Sequence, residues 1–494
     1  VRLWLLSFLG FWLLSAAWSI AAPYDGPPDE QMHALRAAAV VRGEFISEKD
    51  FRGAVQEVPS SLVRVWCFPQ KVQVPANCAP APGGDETLRK ESTAAGRFNP
   101  VYYLVTGWPL AFWPNWVGIL LTRLLTSAIV AALLASTVVA AARWTKHRAM
   151  VAGVVVAATP MLAHISGAIT PQGPEIAAGA GLFAAMMALL HEKKPGDGVN
   201  RAAVALAGVS AAVLVTPRFT GIMWLCVILG VVLVPSSWAR MRELWQSATV
   251  KRWSIFVAVA TVASLAWTVL VKPADPTGYD HGFSLSYMVR TVIVDIWPNT
   301  ANQMVGVMGW AETLMPRLIY VAWFMAVGLL LLGGLVLGNR VEKWRVLALF
   351  FGTFAPLIVL ELLSANQIGW FNQGRYFLPG AVALPMLGAW IMAQRVLNAE
   401  QMRSVTRMLA VLLLPIHIVC LAYTMTRWQS GLASINPLKG VWMPPLGPVL
   451  PLVLVTVAVG VLLLAYWQAS RTPTAVEPEP VVESDKEPIN AARG

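Results

Sequence analysis

Residues 117–142 read VGILLTRLLTSAIVAALLASTVVAAA, an apolar run whose single charge is Arg123. A run of about eighteen or more such residues is long enough to cross a hydrocarbon core. In lipid it has to be helical, because its backbone groups find no water and must bond to one another. Comparable runs recur along the chain, with spans expected at 3–22, 117–142, 150–167, 175–190, 202–216, 219–235, 254–271, 318–338, 346–363, 376–394, 408–425 and 447–467. No alternating strand pattern suggests a barrel. The expected fold class is an all-α integral membrane protein with about twelve transmembrane helices.

Composition agrees. The chain has 494 residues, 57% hydrophobic and 13% charged, with mean hydropathy +0.60. A soluble domain carries about 25% charged residues. The formal charge of +11 does not indicate a nucleic-acid partner, because the cations sit in short clusters between apolar runs. Arg143, Lys146 and Arg148 occupy one loop, and Lys193, Lys194 and Arg201 the next but one. Arg240, Arg242, Lys251 and Arg252 follow, then Arg340, Lys343 and Arg345, then Arg395, Arg403 and Arg407. Every second loop is basic, which by the positive-inside rule places both termini in the cytoplasm. The expected location is the bacterial inner membrane.

The first run is read as a retained helix. A cleavable signal ending near Ala21-Ala22-Pro23 is the alternative, although the apolar stretch exceeds a usual signal core. Residues 1–470 then form one polytopic domain, and 471–494, rich in Pro and Glu, a disordered cytoplasmic tail. Loops at 23–116, 272–317 and 427–446 face outward. The first is large, and holds Cys67 and Cys78 in a compartment that permits a disulfide, whereas Cys226 and Cys420 fall in spans.

The richest stretch is Tyr24-Asp25-Gly26-Pro27-Pro28-Asp29-Glu30-Gln31-Met32-His33-Ala34-Leu35-Arg36. Prolines suit a first helical turn, and acids there favour the helix dipole. Asp29, His33 and Arg36 then share a face, with Glu30 beside them. A carboxylate at the outer membrane edge can take a proton from a hydroxyl as general base. Asp25, Asp29 and Glu30 can also be read as ligands of a hard divalent cation, and capping with a surface ion pair is the plainer reading. Arg123 lies inside a span, where charge faces a cavity or partner, or snorkels outward.

Other candidates lie at outer helix ends. Tyr102 and Tyr103, in Arg97-Phe98-Asn99-Pro100-Val101-Tyr102-Tyr103, read as interfacial anchors. Glu175 opens a helix, Arg218 sits in a tight turn, and Glu361 closes a span. Gly306-Val307-Met308-Gly309-Trp310, with Glu312 and Arg317 after it, reads as a re-entrant or interfacial stretch. In Asn372-Gln373-Gly374-Arg375-Tyr376-Phe377-Leu378-Pro379, Arg375 starts a span, where a guanidinium can grip a phosphate with two bonds. His164 and His417 are expected to be packed rather than ligating. No metal, nucleotide or dinucleotide motif stands in a credible context.

Taken in order, Pro28-Asp29-Glu30 with His33 and Arg36, Asn99 to Tyr103, Arg123, Gly306 to Trp310, and Gln373 to Pro379 resemble a family of bacterial polytopic membrane proteins. That family is grouped with the GT-C superfamily of glycosyltransferases, and the resemblance runs from the first span to about residue 390. At Ile169-Thr170-Pro171-Gln172-Gly173, where relatives tend to have Asn-Pro-Asp, Thr170 and Gln172 stand instead, which shifts weight to Asp29 and Glu30. The resemblance implies transfer of a sugar from a polyprenyl-phosphate donor to an acceptor outside the membrane. It implies Asp29 as base, Glu30 as its partner or a metal ligand, and His33 orienting Asp29 or binding the acceptor. Arg375, with Arg218 or Arg123 and next to Tyr376, would hold the donor phosphate. Arg36, Tyr102 and Tyr103 would bind the acceptor or support the site. Metal dependence stays open, since some members of that superfamily use a divalent ion.

Two other readings remain at this level. Charges at membrane depth suit a transporter or flippase of a lipid-linked substrate, although the candidates cluster at outer ends and no inverted repeat is visible. A non-catalytic membrane protein of envelope assembly is the second. Usage rich in Ala, Val and Trp points to a GC-rich bacterium, where cell-wall glycans or envelope proteins are natural acceptors.

Overall fold

The computed structural model describes residues 1–50, 53–64, 66–234, 236–272 and 280–471. The tail expected at 471–494 lies, apart from Arg471, outside the described residues, as does 273–279 of the second outward loop.

Helix α1 (Arg2–Ala21) leads to α2 (Glu30–Val41) and then to a sheet of β1 (Glu48–Asp50), β2 (Gly53–Pro59) and β3 (Leu88–Thr93). The sheet is antiparallel in the order β1-β2-β3, with Val55 opposite both Glu48 and Ser92. Short helices α3 (Val101–Thr106) and α4 (Pro109–Phe112) return the chain to α5 (Trp116–Arg143), which Asn115 caps by accepting from the Val117 N–H. Next come α6 (Met150–Ala157), α7 (Pro160–Ser166), α8 (Gln172–Leu190), α9 (Arg201–Val215), α10 (Thr220–Leu233), α11 (Trp238–Gln246) and α12 (Ala248–Val271).

The segment expected to form the second outward loop folds as α13 (Leu285–Arg290), a wide π-helical turn at Thr291–Ile296, α14 (Trp297–Gly306) and a hairpin of β4 (Val307–Met308) and β5 (Thr313–Leu314). The remaining helices are α15 (Arg317–Leu337), α16 (Arg340–Ile368), α17 (Gly374–Ala381), α18 (Ala383–Arg395), α19 (Ala399–Leu413), α20 (Ile416–Ser430) and α21 (Val449–Ala469).

A helix stands at each of the twelve expected places. Among the described residues nine are long and apolar enough to cross a membrane, or ten if α6 and α7, bent by 69°, form one span. The shorter apolar α9 and α10 fill the other two places. Within the all-α class the 23–116 loop carries a small sheet, in which β2 and β3 pair across six positions.

Burial separates the centre of the bundle from its rim. The most apolar windows of α8 and of α17–α18 are 94% buried, against 11% for α12, whose side chains face outward to lipid. The close approach of α8 to α17 requires Gly179, where a Cβ would stand 2.0 Å from the Pro379 carbonyl oxygen. That contact brings the start of α17, with Arg375, next to the start of α8, with Glu175.

Candidate active site

Between α1 and α2 the chain turns twice. Asp25 (φ 63°) and Asp29 (φ 64°) both take the left-handed conformation, which short polar side chains tolerate best after glycine. The helix starts at Glu30, so Pro27 and Pro28 precede it and do not occupy its first turn. Asp29 is the residue before the helix, and its backbone carbonyl accepts from the His33 N–H at 3.2 Å. The turn is tied internally: the Asp25 N–H donates to Glu30 Oε2 (3.1 Å) and the Gln31 N–H to Asp25 Oδ1 (3.1 Å).

Glu30 and Asp29, adjacent in sequence, have opposite surroundings. Glu30 is fully buried against Arg123 of α5. Arg123 Nε donates to Glu30 Oε1 at 2.7 Å, and one terminal nitrogen to Oε2 at 2.5 Å. The remaining N–H groups go to the carbonyls of Ser19, Ala22 and Pro23 at 2.7–2.9 Å. A guanidinium has five N–H donors, and all five are used. Glu30 Oε1 also accepts from the Ile169 N–H at 3.1 Å. The pair locks α1, α2, α5 and the 167–171 turn together. Arg123 therefore has no donor left for a phosphate, and Glu30 is engaged as a strut, contrary to the roles first expected of them.

Asp29 instead keeps 28% of its side chain exposed and meets Arg375, which is 3% exposed, at 2.5 Å. Arg375 is held in place from two sides. Glu361 accepts from the Phe371 and Asn372 N–H groups and from the Asn372 side chain, fixing the turn before α17. The Gly374 N–H donates to Gln303 of α14 at 2.8 Å. The Tyr376 ring lies between two guanidinium groups, 5.2 Å from that of Arg375 and 5.4 Å from that of Arg218. Arg218 pairs through Nε and one terminal nitrogen with fully buried Glu175, so the cap first read at Glu175 is an ion pair. Arg375 Nε is buried with no hydrogen-bond partner among the described residues.

His33 donates to or accepts from the Tyr103 hydroxyl through Nδ1 at 2.8 Å and makes no bond to the Asp29 carboxylate, which Arg375 orients. Burial, then the charges of Arg218 and Arg375, push its pKa down to about 3, so it stays neutral. Arg36 donates to the carbonyls of Glu44, Phe45 and Phe98, and Tyr102 bonds to Thr126. These side chains brace the first loop against α5.

Asp25, Asp29 and Glu30 do not form the metal site considered from the sequence. Glu30 faces Arg123 and Asp29 faces Arg375, while Asp25 is 3% exposed and its carboxyl is pushed up to about 8, chiefly by burial. Among the described residues no group of three or more His, Cys, Asp or Glu could hold a metal.

A cavity of about 600 Å³ opens beside Arg218 and Tyr376. Its wall combines Arg97 and Arg218 with apolar Trp267, Leu357, Ile368 and Phe371. The second outward loop covers the other flank. Trp310 Nε1 donates to the Asp25 carbonyl at 3.0 Å and its ring packs on Trp66. Glu312 pairs at 2.9 Å with Arg427 of α20, a residue the sequence reading passed over. Arg427 also donates to the carbonyls of Phe68, Lys71 and Val74, inside the loop that a Cys67–Cys78 disulfide closes. Its signal in the sequence was a lone cation at the outer end of a span.

The profile of the DUF2142 family, described as predicted membrane proteins, matches residues 11–384. The chain belongs to that family. The DUF2142 match takes in every candidate from Asp25 to Tyr376 and stops before Arg427. No curated protein matches the chain. Two solved structures are similar in helical arrangement, both of ArnT from Cupriavidus metallidurans. The one bound to undecaprenyl phosphate is 14% identical, with a TM-score of 0.45, over 94% of this chain and 76% of that one. The apo form is 15% identical, with a TM-score of 0.42, over 92% and 74%. Likeness of this degree says nothing of chemistry.

Proposed function

We propose that this chain is a membrane glycosyltransferase of the GT-C kind. It moves a sugar from a polyprenyl-phosphate donor to a cell-envelope glycan or protein on the outer face of a bacterial inner membrane. The observation that carries the reading is the Asp29–Arg375 pair: a partly exposed carboxylate held by a guanidinium whose buried Nε has no hydrogen-bond partner among the described residues. The cavity beside Arg218 and Tyr376 joins cations to an apolar wall, as a phosphate on a long hydrocarbon requires.

In the resting protein Arg375 is occupied by Asp29. An arriving donor phosphate takes over the Arg375 donors, with Arg218 beside it, and releases the carboxylate. Asp29 then accepts the proton of the acceptor hydroxyl as that oxygen attacks the anomeric carbon. The bond from this carbon to the phosphate oxygen breaks, and the charge gained by the leaving polyprenyl phosphate falls between Arg375 and Arg218. Fixed cations aimed at developing charge supply much of the acceleration in many enzymes. His33, kept neutral, holds Tyr103 and adds no charge to the site.

The test is sugar transfer in proteoliposomes, with a panel of polyprenyl-phosphate sugars and an envelope glycan extract. Asp29→Asn, folded, is expected to lose about 10²- to 10⁴-fold in rate. Arg375→Ala is expected to lose donor binding as well. No transfer with any donor, together with movement of labelled lipid between leaflets, would favour a transporter.

A further inference from the structure

A second cavity lies at the far ends of the helices that carry the candidate site. Its volume is about 900 Å³, and α8, α9, α10, α11 and α12 wall it. Glu175 opens α8 beside Arg218, while Leu189 and Leu190, which line this cavity, close it. The helix is 19 residues long, about 27 Å from first to last at 1.5 Å per residue, so the cavity lies toward the opposite membrane surface.

The wall is apolar apart from its rim. Arg242 is the only charged side chain among the described lining residues, and no acid lines the space. Arg242 is exposed and makes no ion pair among the described residues. Lys251 and Arg252, both exposed, follow at the start of α12. The roof is α11, which is built in place. Arg240 is fully buried and donates to the carbonyls of Leu189 and Gly198 at 3.0 Å, pinning α11 across the end of α8. Trp238 and Trp245 of α11, 76% and 61% exposed, stand at the rim of the cavity, and indole rings favour the membrane interface. Helix α12 leans on α9 and α11, and no described residue fills the gap between it and α10.

We propose that this cavity is a binding site for one anionic glycerophospholipid of the leaflet opposite the candidate active site. The acyl chains fill the gap between α10 and α12. The phosphate headgroup meets Arg242 at the rim, with Lys251 and Arg252 adding to the positive field. Charge complementarity selects an anionic headgroup, and an apolar space of this size wants hydrocarbon rather than water. The bound lipid ties the loosely packed α12 to α8–α10, and so steadies the α9–α10 turn that carries Arg218.

The test uses the full chain purified in uncharged detergent. Native mass spectrometry and thermal unfolding are read with added phosphatidylglycerol, phosphatidylcholine or a polyprenyl phosphate. Phosphatidylglycerol is expected to leave one tightly held copy and to raise the unfolding midpoint. Arg242→Ala, a surface change that leaves the fold intact, should weaken that binding about fivefold, the value of one cation near an anionic lipid. Ala207→Phe, which fills the cavity, should abolish it, and Arg375→Ala should leave it unchanged. Equal retention of phosphatidylcholine, retention of polyprenyl phosphate alone, or full binding by both Arg242→Ala and Ala207→Phe would overturn the proposal.

Discussion

Glu30 and Arg123, 93 residues apart in sequence, bind each other through two parallel bonds with no exposed surface on either side chain. The three remaining donors of Arg123 close the carbonyls at the end of α1. Removing one partner of such a pair leaves a buried charge alone, which costs about 3–5 kcal/mol. Arg123→Ala and Glu30→Ala are therefore expected to lower the unfolding midpoint sharply in detergent, or to abolish folded yield. Arg123→Lys should not rescue, because an ammonium lacks the planar fork. Asp29→Asn should leave the midpoint near that of the wild type. A Glu30→Gln variant that unfolds normally yet transfers no sugar would return Glu30 to the chemistry.

Gly374 places Arg375 through close contact with α14. A Cβ there would lie 2.4 Å from the Thr300 carbonyl oxygen and 2.6 Å from Gln303 Cβ and Met304 N, so backbone would have to move. Overpacking of this kind costs about 1–3 kcal/mol. Gly374→Ala is expected to lower the unfolding midpoint and to displace Arg375 from Asp29. In the transfer assay the loss should show first as weaker donor binding. An unchanged midpoint and donor KM would mean that α14 does not set the position of Arg375.

The spans were legible because an apolar run of span length leaves the backbone one solution, and each expected run holds a helix. The count was less legible, because α9 and α10 are short and α6–α7 bends. The first-loop sheet was hidden: β3 (LRKEST) is mostly polar, and β2 ends in proline. In the site, Asp29, Glu30, Glu175, Arg218 and Arg375 each stood out as a charge at a membrane edge, and Arg123 as a charge inside a span. Their pairing did not, since it depends on which helices adjoin. Spacing alone made Asp29 and Glu30 look alike. The left-handed turn at Asp29 separates them, sending one carboxylate to Arg375 and the other to Arg123 inside the bundle.

Asp25 gives the fold a pH dependence of defined sign. Burial raises its carboxyl from 3.8 to about 8, against the lowering effects of Arg64 and the Gln31 N–H, while Glu30 and Asp29 add to the rise. The folded state thus binds a proton that the unfolded chain releases above pH 3.8. This stabilisation is complete below 3.8, declines as pH rises, and is gone once pH passes about 8. Asp25→Asn keeps an Oδ1 acceptor for the Gln31 N–H and tolerates the left-handed turn. Its stability relative to wild type should rise with pH between about 5 and 8, by at most about 1.4 kcal/mol per unit, and level off above. Parallel unfolding curves for the two proteins across that range would show that Asp25 is ionised in the fold.

Arg427 joins three segments: α20, the 307–314 hairpin through Glu312, and the disulfide loop through three carbonyls. The bridge itself closes a short loop, with Cys67 and Cys78 separated by 11 positions, worth about 2–3 kcal/mol as restricted unfolded chain. Arg427→Met removes more, because it strips partners from three carbonyls and leaves Glu312, whose pKa burial already raises, without its cation. Truncating one side of such a pair costs about 3–5 kcal/mol. Arg427→Met is therefore expected to destabilise more than Cys67→Ser with Cys78→Ser. Adding Glu312→Gln to Arg427→Met should recover part of the loss, because the stranded charge is gone while the open carbonyls remain. Coupled sites depart from additivity by about 0.5–3 kcal/mol. The check is a double-mutant cycle of unfolding midpoints under oxidising conditions. Additive losses would mean that Glu312 and Arg427 do not support each other, and that the hairpin carrying Trp310 to Asp25 is held by its own packing.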